Sequence, residues 1–515
     1  MIKVLDCTLR DGGYVNDWAF GDNNIHFIID NLGKANIDII ECGFLSKKSK
    51  NNSSLFCDPY LKIEKHNSQH VLMINCGDYD CSSLPNQSAT SIDGIRIAFH
   101  KQDIDKAFSD SEIIKQLGYK VFLQPMVSVS YTDTEFIDLI QRANNLNPYA
   151  FYIVDSFGVM KKNDLMRLYY LIDHNLKQDI HVGYHAHNNL QLAYSNAQAF
   201  VSIQTSRTLI CDSSVYGMGR GAGNLNTELF IDYLNEKFNK EYKNEFIIKI
   251  IDEILNDIYK VTPWGYSLSY YLSAVNKCHP NYATYLSDKN TLNADDISKI
   301  LSTILDTKKN NYDASYIESL YTNYQSQVLT VHSDAINKIK DLLKKPVLLL
   351  FPGSSIETEI DKLQDLYKYT VIAINFYSEK FKIDYVFVSN KRRYNELQKH
   401  TPLIPIISTS NIKSSNSMYE IPYNILLNTN EKVKDNAGLM CIKLLINAQI
   451  EEVYVAGFDG YSFTDESDFA FNDEYMQINA HNINATNQAL NYVVQEFSKD
   501  IKIKSITSER YIKFD

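Results

Sequence analysis

The chain has no apolar run long enough to span a bilayer, no polybasic block and no CxxC pair among its eight cysteines. The first absence argues against a membrane-spanning protein, and VLLLF at 347–351 reads as a buried strand. The second, with a net charge of −11, argues against nucleic acid or an anionic membrane as partner. The third leaves Cys7, Cys42, Cys57, Cys76, Cys81, Cys211, Cys278 and Cys441 as reduced thiols, several of them in apolar runs, and points to a cytoplasmic protein. The opening MIKVLDCTLRDGG turns polar and charged after one short apolar run, unlike a signal peptide. What remains is globular, with 44% hydrophobic and 22% charged residues. At 515 residues it exceeds one ordinary domain. A (β/α)₈ barrel takes roughly 250 residues, so a barrel plus a second domain suits the length.

Eight short apolar runs punctuate the first 215 residues: IKVLD (2–6), IDIIECGF (37–44), VLMINCG (71–77), GIRIAF (94–99), KVFLQPM (120–126), AFYIVDS (150–156), HVGYHAH (181–187) and TLICDSS (208–214). Runs apolar on both faces are what buried parallel strands require. Amphipathic segments such as DTEFIDLIQRANNL and KNDLMRLYYLIDHNL lie between them. Eight strand–helix repeats predict a closed α/β barrel, with a doubly wound open sheet as the alternative. Polar residues gather at the ends of seven of the eight runs: Arg10 and Asp11, Glu41, Arg96 and His100, Gln124, Asp155 and Ser156, His185 and His187, Asp212 and Ser213. Barrel active sites sit at those strand ends.

His185-Ala186-His187 places two imidazoles on one face of a strand. Asp11, at the end of the first strand, can supply a third ligand. Two histidines and a carboxylate leave open positions on an octahedral divalent metal, Mn²⁺ or Mg²⁺ first and Co²⁺ or Zn²⁺ as alternatives. A 2-oxo acid can fill two of them through its carboxylate and keto oxygens. Arg10 can then hydrogen-bond the enolate oxygen. Two core or surface histidines would give the same HxH pattern, but TLRDG and the strand count favour the metal. GMGRGAGN (217–224) admits close backbone approach, or a phosphate at the start of the helix LNTELFIDYL, or an ordinary turn.

LDCTLRDGGY, VDSFG, GYHAHNNLQLA and GMGRGAGN resemble the metal-dependent pyruvate aldolase and lyase superfamily of TIM barrels, over roughly residues 1–275. That group includes 4-hydroxy-2-oxovalerate aldolase, hydroxymethylglutaryl-CoA lyase and isopropylmalate synthase; the likeness is strongest to the first. The resemblance implies that Asp11, His185 and His187 are metal ligands, that Arg10 stabilises the enolate and that Ser156 holds the pyruvate carboxylate. Arg96 and Gln124 join the substrate-binding set. It also brings Asn224 to the metal and makes Tyr266 and Tyr270, in WGYSLSYYLSA, candidates for an active-site tyrosine. One position departs from the pattern: where the aldolases carry an acid/base histidine, three residues past the metal aspartate, this chain has Tyr14. A phenol is a poor base at neutral pH. The proton transfer then falls to His100, Tyr266 or a metal-bound water, or the acceptor aldehyde differs. His279 is a further candidate or a structural histidine.

The barrel domain is expected over 1–283 and a helical connector or lid over 284–340. A Rossmann-like α/β domain is expected over 341–515, with strands in PVLLLFPGSSI, TVIAINF, KIDYVFVSN, TPLIPIIST and EEVYVAGFDGYS. No GxGxxG occurs there. FPGSS is either a phosphate cradle or an ordinary strand–helix turn. LLLFPGSS, IAINF and NAGLMCIKLLINAQIEEVYVAGFDGYS resemble the sialyltransferase-like and DUF115-type domains of surface-polysaccharide enzymes. That resemblance makes Gly353, Ser354 and Asn375 nucleotide-contacting, sets Asn436 and Gly438 near the cleft and His481 in the stretch of a catalytic base; a recognition module without catalysis is the alternative. The expected function is aldol formation or cleavage between pyruvate and an aldehyde, sugar-derived if the second domain serves glycan synthesis. A Claisen-type acyl-CoA synthase or lyase is the nearest rival. A glycosyltransferase or nucleotide-sugar-binding protein with a scaffold barrel is the other. A homo-oligomer and a nucleotide-sugar are the remaining expected partners.

Overall fold

The structure is a computed structural model that describes residues 1–61, 63, 66–326, 335–400, 404–412, 417–462 and 483–514. The chain divides into two compact units, one formed by residues 1–283 with 305–312, the other by 284–304 with 313–515. The connector expected over 284–340 is therefore not a unit of its own. Its helices Ala294–Ser302 and Ala314–Ser326 belong to the second unit, and its short stretch 305–312 belongs to the first.

In the first unit eight parallel strands close into a barrel: β1 (Ile2–Asp6), β2 (Ile39–Leu45), β3 (Gln69–Asn75), β4 (Gly94–Phe99), β5 (Lys120–Pro125), β6 (Ala150–Asp155), β7 (His181–Ala186) and β8 (Leu209–Ser213). Pairing runs in chain order and closes where Leu5 meets Ile39 and Asp6 meets Ile40, which excludes the open-sheet alternative. A two-residue strand, Leu55–Phe56, adds to the side of β2 and has no counterpart in the sequence reading. Leu5, Ile39, Val71, Phe122, Tyr152 and Ile210 fill the barrel interior, which is a packed core and not a pore. The opposite faces of the strands pack against the surrounding helices. That double burial is why these strands lack polar alternation. DTEFIDLIQRANNL forms the helix Asp133–Leu146, started by a capping box in which Thr132 accepts from the Glu135 amide and Glu135 accepts from the Thr132 amide.

The second unit is built on a seven-stranded parallel sheet: β9 (Val347–Leu350), β10 (Thr370–Ile374), β11 (Tyr385–Val388), β12 (Ile406–Thr409), β13 (Ser417–Ile421), β14 (Glu452–Ala456) and β15 (Lys502–Ser505). Their spatial order is β13-β12-β11-β10-β9-β14-β15. Separate apolar clusters cover the two faces, one around Leu349, Leu439 and Val494 and the other around Leu348, Val371 and Ile356. Five strands match the sequence expectation. The two edge strands, β13 and β15, were not expected, because SMYEI and KIKS are polar or charged where an edge faces water. Among the described residues no helix is long and apolar enough to cross a membrane.

Candidate metal centre

Directly after β1 the backbone makes a tight π-turn over Thr8–Gly12, in which the Arg10 and Asp11 amides both donate to the Cys7 carbonyl. Single π-turns are a recurrent way of aiming side chains at a functional site. This one buries Arg10 and Asp11 side by side. Asp11 Oδ1 lies 3.3 Å from Arg10 Nη1. Asp11 Oδ2 lies 3.3 Å from His185 Nε2 and 3.5 Å from His187 Nε2, and is buried without a hydrogen-bond partner. The two imidazoles stand edge to face with centroids 5.2 Å apart, as the period of a strand requires.

The far side of each imidazole fixes its tautomer. His187 Nδ1 is 3.2 Å from the Arg220 carbonyl, which can only accept, so the proton sits on Nδ1 and Nε2 carries the lone pair. His185 Nδ1 is 3.0 Å from Asp212 Oδ2, and the carboxylate does the same for that ring. Burial lowers the His187 pKa to about 3, which keeps the ring neutral and able to ligate. At His185 burial acts downward as well, but the adjacent Asp11 and Asp212 carboxylates outweigh it and leave the pKa raised. Burial opposes ionisation of Asp11, yet Arg10 and then His187 and His185 hold it well below the usual carboxylate range.

Asn224 completes the corner. It bridges to His187 through the backbone; its Nδ2 donates to the Met218 carbonyl at 3.2 Å, and its Oδ1 is buried with no partner. The glycines of GMGRGAGN serve this approach: a Cβ on Gly219 would stand 2.3 Å from Asn224 Nδ2, and one on Gly223 would stand 2.0 Å from the Gly217 carbonyl. The orphaned buried Asp11 Oδ2 beside two Nε2 lone pairs forms a donor set that suits a divalent cation, and Asn224, with an orphaned oxygen of its own, bridges to His187 through the backbone. Cys7 Sγ also comes within 4.8 Å of the Asp11 and His185 donor atoms. Burial raises its thiol pKa well above the ordinary value, and it donates to the Ser213 carbonyl.

Beneath the corner runs a buried ionic network. Arg10 Nε donates to Glu41 at 2.7 Å, Arg96 Nη1 lies 2.9 Å from the other Glu41 oxygen, and Arg96 also pairs with Asp212. Arg96 was expected to touch substrate. It is fully buried, its guanidinium 4.9 Å over the Tyr152 ring, and it spends its charge on the two carboxylates, so its place is to hold Asp212 and Glu41. Glu41 and Asp212 were legible as strand-end carboxylates, but the links joining them to Arg10 and His185 were not. Arg220, whose carbonyl orients His187, was missed as well.

The other expected residues divide by position. Ser156 is buried and its Oγ accepts from the Val127 amide at 2.9 Å; Gln124 is buried with Nε2 unpartnered. Gln124 lies near the end of β5 and Ser156 just after the adjacent β6, and both have donor capacity to spare. Tyr14 is 39% exposed, packs edge-on against Trp18 and lies under the Arg220 guanidinium at 5.2 Å. Desolvation raises its phenol pKa, and Arg220 offsets this only in part. His100 is half-buried, and burial lowers its pKa. His279 packs against Phe157 and Tyr312, and its Nδ1 accepts from the Asn281 amide, the environment of a structural histidine. Tyr266 is 59% exposed; Tyr270 lies in the helix Leu268–Val275, whose neighbouring loop is tethered by Trp264 donating to the Tyr216 carbonyl. In the second unit FPGSS does not offer its amides outward. The Ser355 amide and hydroxyl donate to Asp459, Ser354 Oγ accepts from Arg510, and the helix Ser355–Thr358 has a single turn. Those contacts are those of an ordinary turn. His481 lies outside the described residues.

A family model described as HMGL-like matches residues 87–253. The 4-hydroxy-2-oxovalerate aldolase of Geobacillus genomosp. 3 is 28% identical over 245 residues, covering 45% of this chain and 70% of the relative. The oxaloacetate decarboxylase of Mycobacterium tuberculosis is 23% identical over 285 residues, covering 52% of this chain and 82% of the relative. Among solved structures, the HMG-CoA lyase of Brucella melitensis aligns at 13% identity with a TM-score of 0.39, covering 48% of this chain and 95% of the lyase. Residues 87–253 of the barrel thus match the HMGL-like model, and the barrel is similar to the TIM-barrel aldolases and lyases.

Proposed function

We propose that the barrel is a divalent-metal-dependent aldolase that makes or breaks the bond between C3 of pyruvate, or a related 2-oxo acid, and an aldehyde. The carrying observation is Asp11 Oδ2, a buried oxygen with no partner, facing two imidazole nitrogens whose lone pairs are fixed by hydrogen bonds on the opposite side. Asp11, His185, His187 and Asn224 would hold the cation. When bound, it supplies Lewis-acid polarisation of the keto oxygen.

The rest falls to the chain's own groups. Ser156, with its Oγ already accepting from Val127, donates its proton to the substrate carboxylate, and Gln124 Nε2 donates beside it. Arg10 is anchored by Glu41 on one edge and donates from the other to the enolate oxygen as charge develops. His100, kept neutral by burial, accepts a proton at neutral pH. Tyr14, kept protonated, donates to the acceptor's carbonyl oxygen. A sugar-derived acceptor, and an activated sugar or nucleotide held by the second unit, would give the two halves a common purpose in surface glycan synthesis.

Mass spectrometry of metal-replete protein with pyruvate and an aldehyde panel tests this reading. New adducts with aldehydes support it. Turnover of acetyl-CoA with no aldehyde adducts would replace it with Claisen chemistry, and pyruvate formed from oxaloacetate alone would make it a decarboxylase. The roles within the site separate on one variant. Tyr14→Phe should lower aldol formation by about 10²-fold while pyruvate C3 exchange in D₂O changes less than about threefold, the range a positioned acid supplies. Equal losses in both rates would place Tyr14 on the enolisation step and overturn its assignment.

A further inference from the structure

The second sheet reverses direction at one point. From β9 the chain winds outward through β10, β11 and β12 to β13, then returns to lay β14 and β15 on the other side of β9. Ligands of open parallel sheets bind outside the carboxyl ends of the strands at such a switch. A cavity of about 1150 Å³ opens there, lined from the strand ends by Phe351, Asn375, Asn390 and Phe458.

The lining says what the cavity would take. Two of the helix starts that border it are already closed. Asp459 accepts from the Ser355 amide at 2.8 Å and from its hydroxyl at 2.5 Å. Asn436 Oδ1 accepts from the amides of Gly438 and Leu439 at 3.0 and 3.2 Å, capping the helix Ala437–Asn447. A phosphate would have to displace both, one of them a buried carboxylate. The close approach of Gly353 is also internal, since a Cβ there would stand 2.2 Å from the Gly457 carbonyl. Of the wall's three cations, Lys289 pairs with Glu318 at 2.7 Å and Arg393 with Glu396 at 2.8 Å; Lys432 is the third, and the five carboxylates Asp288, Glu318, Glu431, Asp435 and Asp459 outnumber them.

What the wall has to spare is acceptor capacity. Asn375 Oδ1 is buried with no donor, on a residue held at φ +59° at the end of β10. Glu318 is buried and carries a second such oxygen, Oε1, while its Oε2 receives both the Tyr285 hydroxyl and Lys289. Beside these lies an apolar face made by the Phe351 and Phe458 rings, stacked 4.3 Å apart and 2° from parallel. Orphan acceptors need donors, an excess of carboxylates disfavours an anion, and flat rings favour a ring.

We propose that this cleft binds a neutral polyhydroxylated ring, a monosaccharide or the ribose of a nucleoside, and recognises it through its hydroxyl protons and not through phosphate. The proposal concerns the second unit alone and needs neither metal nor pyruvate, so it stands or falls apart from the aldolase reading.

Calorimetric titration of the full chain, without metal or pyruvate, against a monosaccharide panel, the common nucleosides, their mono- and diphosphates, and inorganic phosphate and pyrophosphate is the test. We expect saturable binding of at least one sugar or nucleoside. Saccharide binding alone identifies a free sugar, and nucleoside binding identifies the ribose. Added phosphates should change the affinity less than about threefold, and inorganic phosphate and pyrophosphate should not compete. Asn375→Gly keeps the left-handed backbone and removes the side-chain amide with its acceptor, so it should weaken binding about five- to tenfold, the worth of one hydrogen bond, with an unchanged melting transition. Absence of saturable binding to every sugar and nucleoside would overturn the proposal. So would competition by inorganic phosphate or pyrophosphate, a nucleoside diphosphate binding more than a hundredfold tighter than its nucleoside, or full affinity in Asn375→Gly.

Discussion

His187→Ala should leave a folded barrel that no longer responds to divalent metal. In the native protein saturating Mn²⁺ or Mg²⁺ should raise the melting transition, because a ligand at a hundred times its Kd adds about 2.7 kcal/mol to the folded state. The variant should lose that increment and, with it, pyruvate proton exchange by about 10³-fold, the several kcal/mol a Lewis acid contributes. The cause is geometric. His187 Nε2 is one of two lone pairs within 3.5 Å of Asp11 Oδ2, and its ring is oriented by the Arg220 carbonyl. The metal-free variant should fold, because removing a buried neutral imidazole takes away no charge that the Arg10–Glu41–Arg96–Asp212 network relies on. Asp212→Asn provides the graded comparison. It keeps every ligand but weakens the support of His185 and the ion pair to Arg96, so metal affinity should drop by about 10- to 100-fold and not vanish. Stoichiometric metal in purified His187→Ala, with native exchange rates, would remove His187 from the ligand set.

The difference between the barrel and its site shows what a sequence carries. Strands β1 to β8 were legible because burial on both faces leaves an unbroken apolar run, and the count of eight, seven of them with polar ends, implied closure without any single residue proving it. His185 and His187 were legible because a strand's period of two is local. The link from Arg96 to Asp212 spans 116 residues and belongs to no period, so each looked like an isolated strand-end charge. The same limit governs the second unit. Its five inner strands announced themselves, while Ser417–Ile421 and Lys502–Ser505 are edges whose stability comes from one neighbour and not from their own composition. The helices after residue 284 are amphipathic, and amphipathicity says that a face is buried without saying against which core. At FPGSS a glycine beside serines reads equally as a cradle or a turn; Asp459, a hundred residues onward, decides it.

Arg10→Ala tests the step at which charge appears. The guanidinium is buried, tied through Nε to Glu41 and through Nη1 to Asp11, and stacked 5.9 Å over the Phe44 ring. Among the described contacts Nη2 has no protein partner, which leaves one donor of a rigid fork for a substrate oxygen. A donor aimed at an oxygen that becomes anionic only on deprotonation contributes little to ground-state binding and much to the transition state. Arg10→Ala should therefore lower kcat for pyruvate C3 exchange by about 10²- to 10³-fold with a smaller change in KM. Arg10 also holds the Asp11 carboxylate well below its usual pKa. Without that positive charge Asp11 should ionise at higher pH, so metal affinity in the variant should fall off on the acid side earlier than in the native protein. Arg10→Lys separates the two duties. Its ammonium preserves the charge beside Asp11, so the acid limb of metal binding should return toward native, but it cannot keep Glu41 and reach the substrate at once. Exchange should stay depressed by at least tenfold in Arg10→Lys even at saturating metal. If Lys restores exchange fully, charge alone is what the position supplies and the directed hydrogen bond is not; if Ala leaves exchange untouched, the enolate is stabilised elsewhere and Arg10 is only a brace for Glu41.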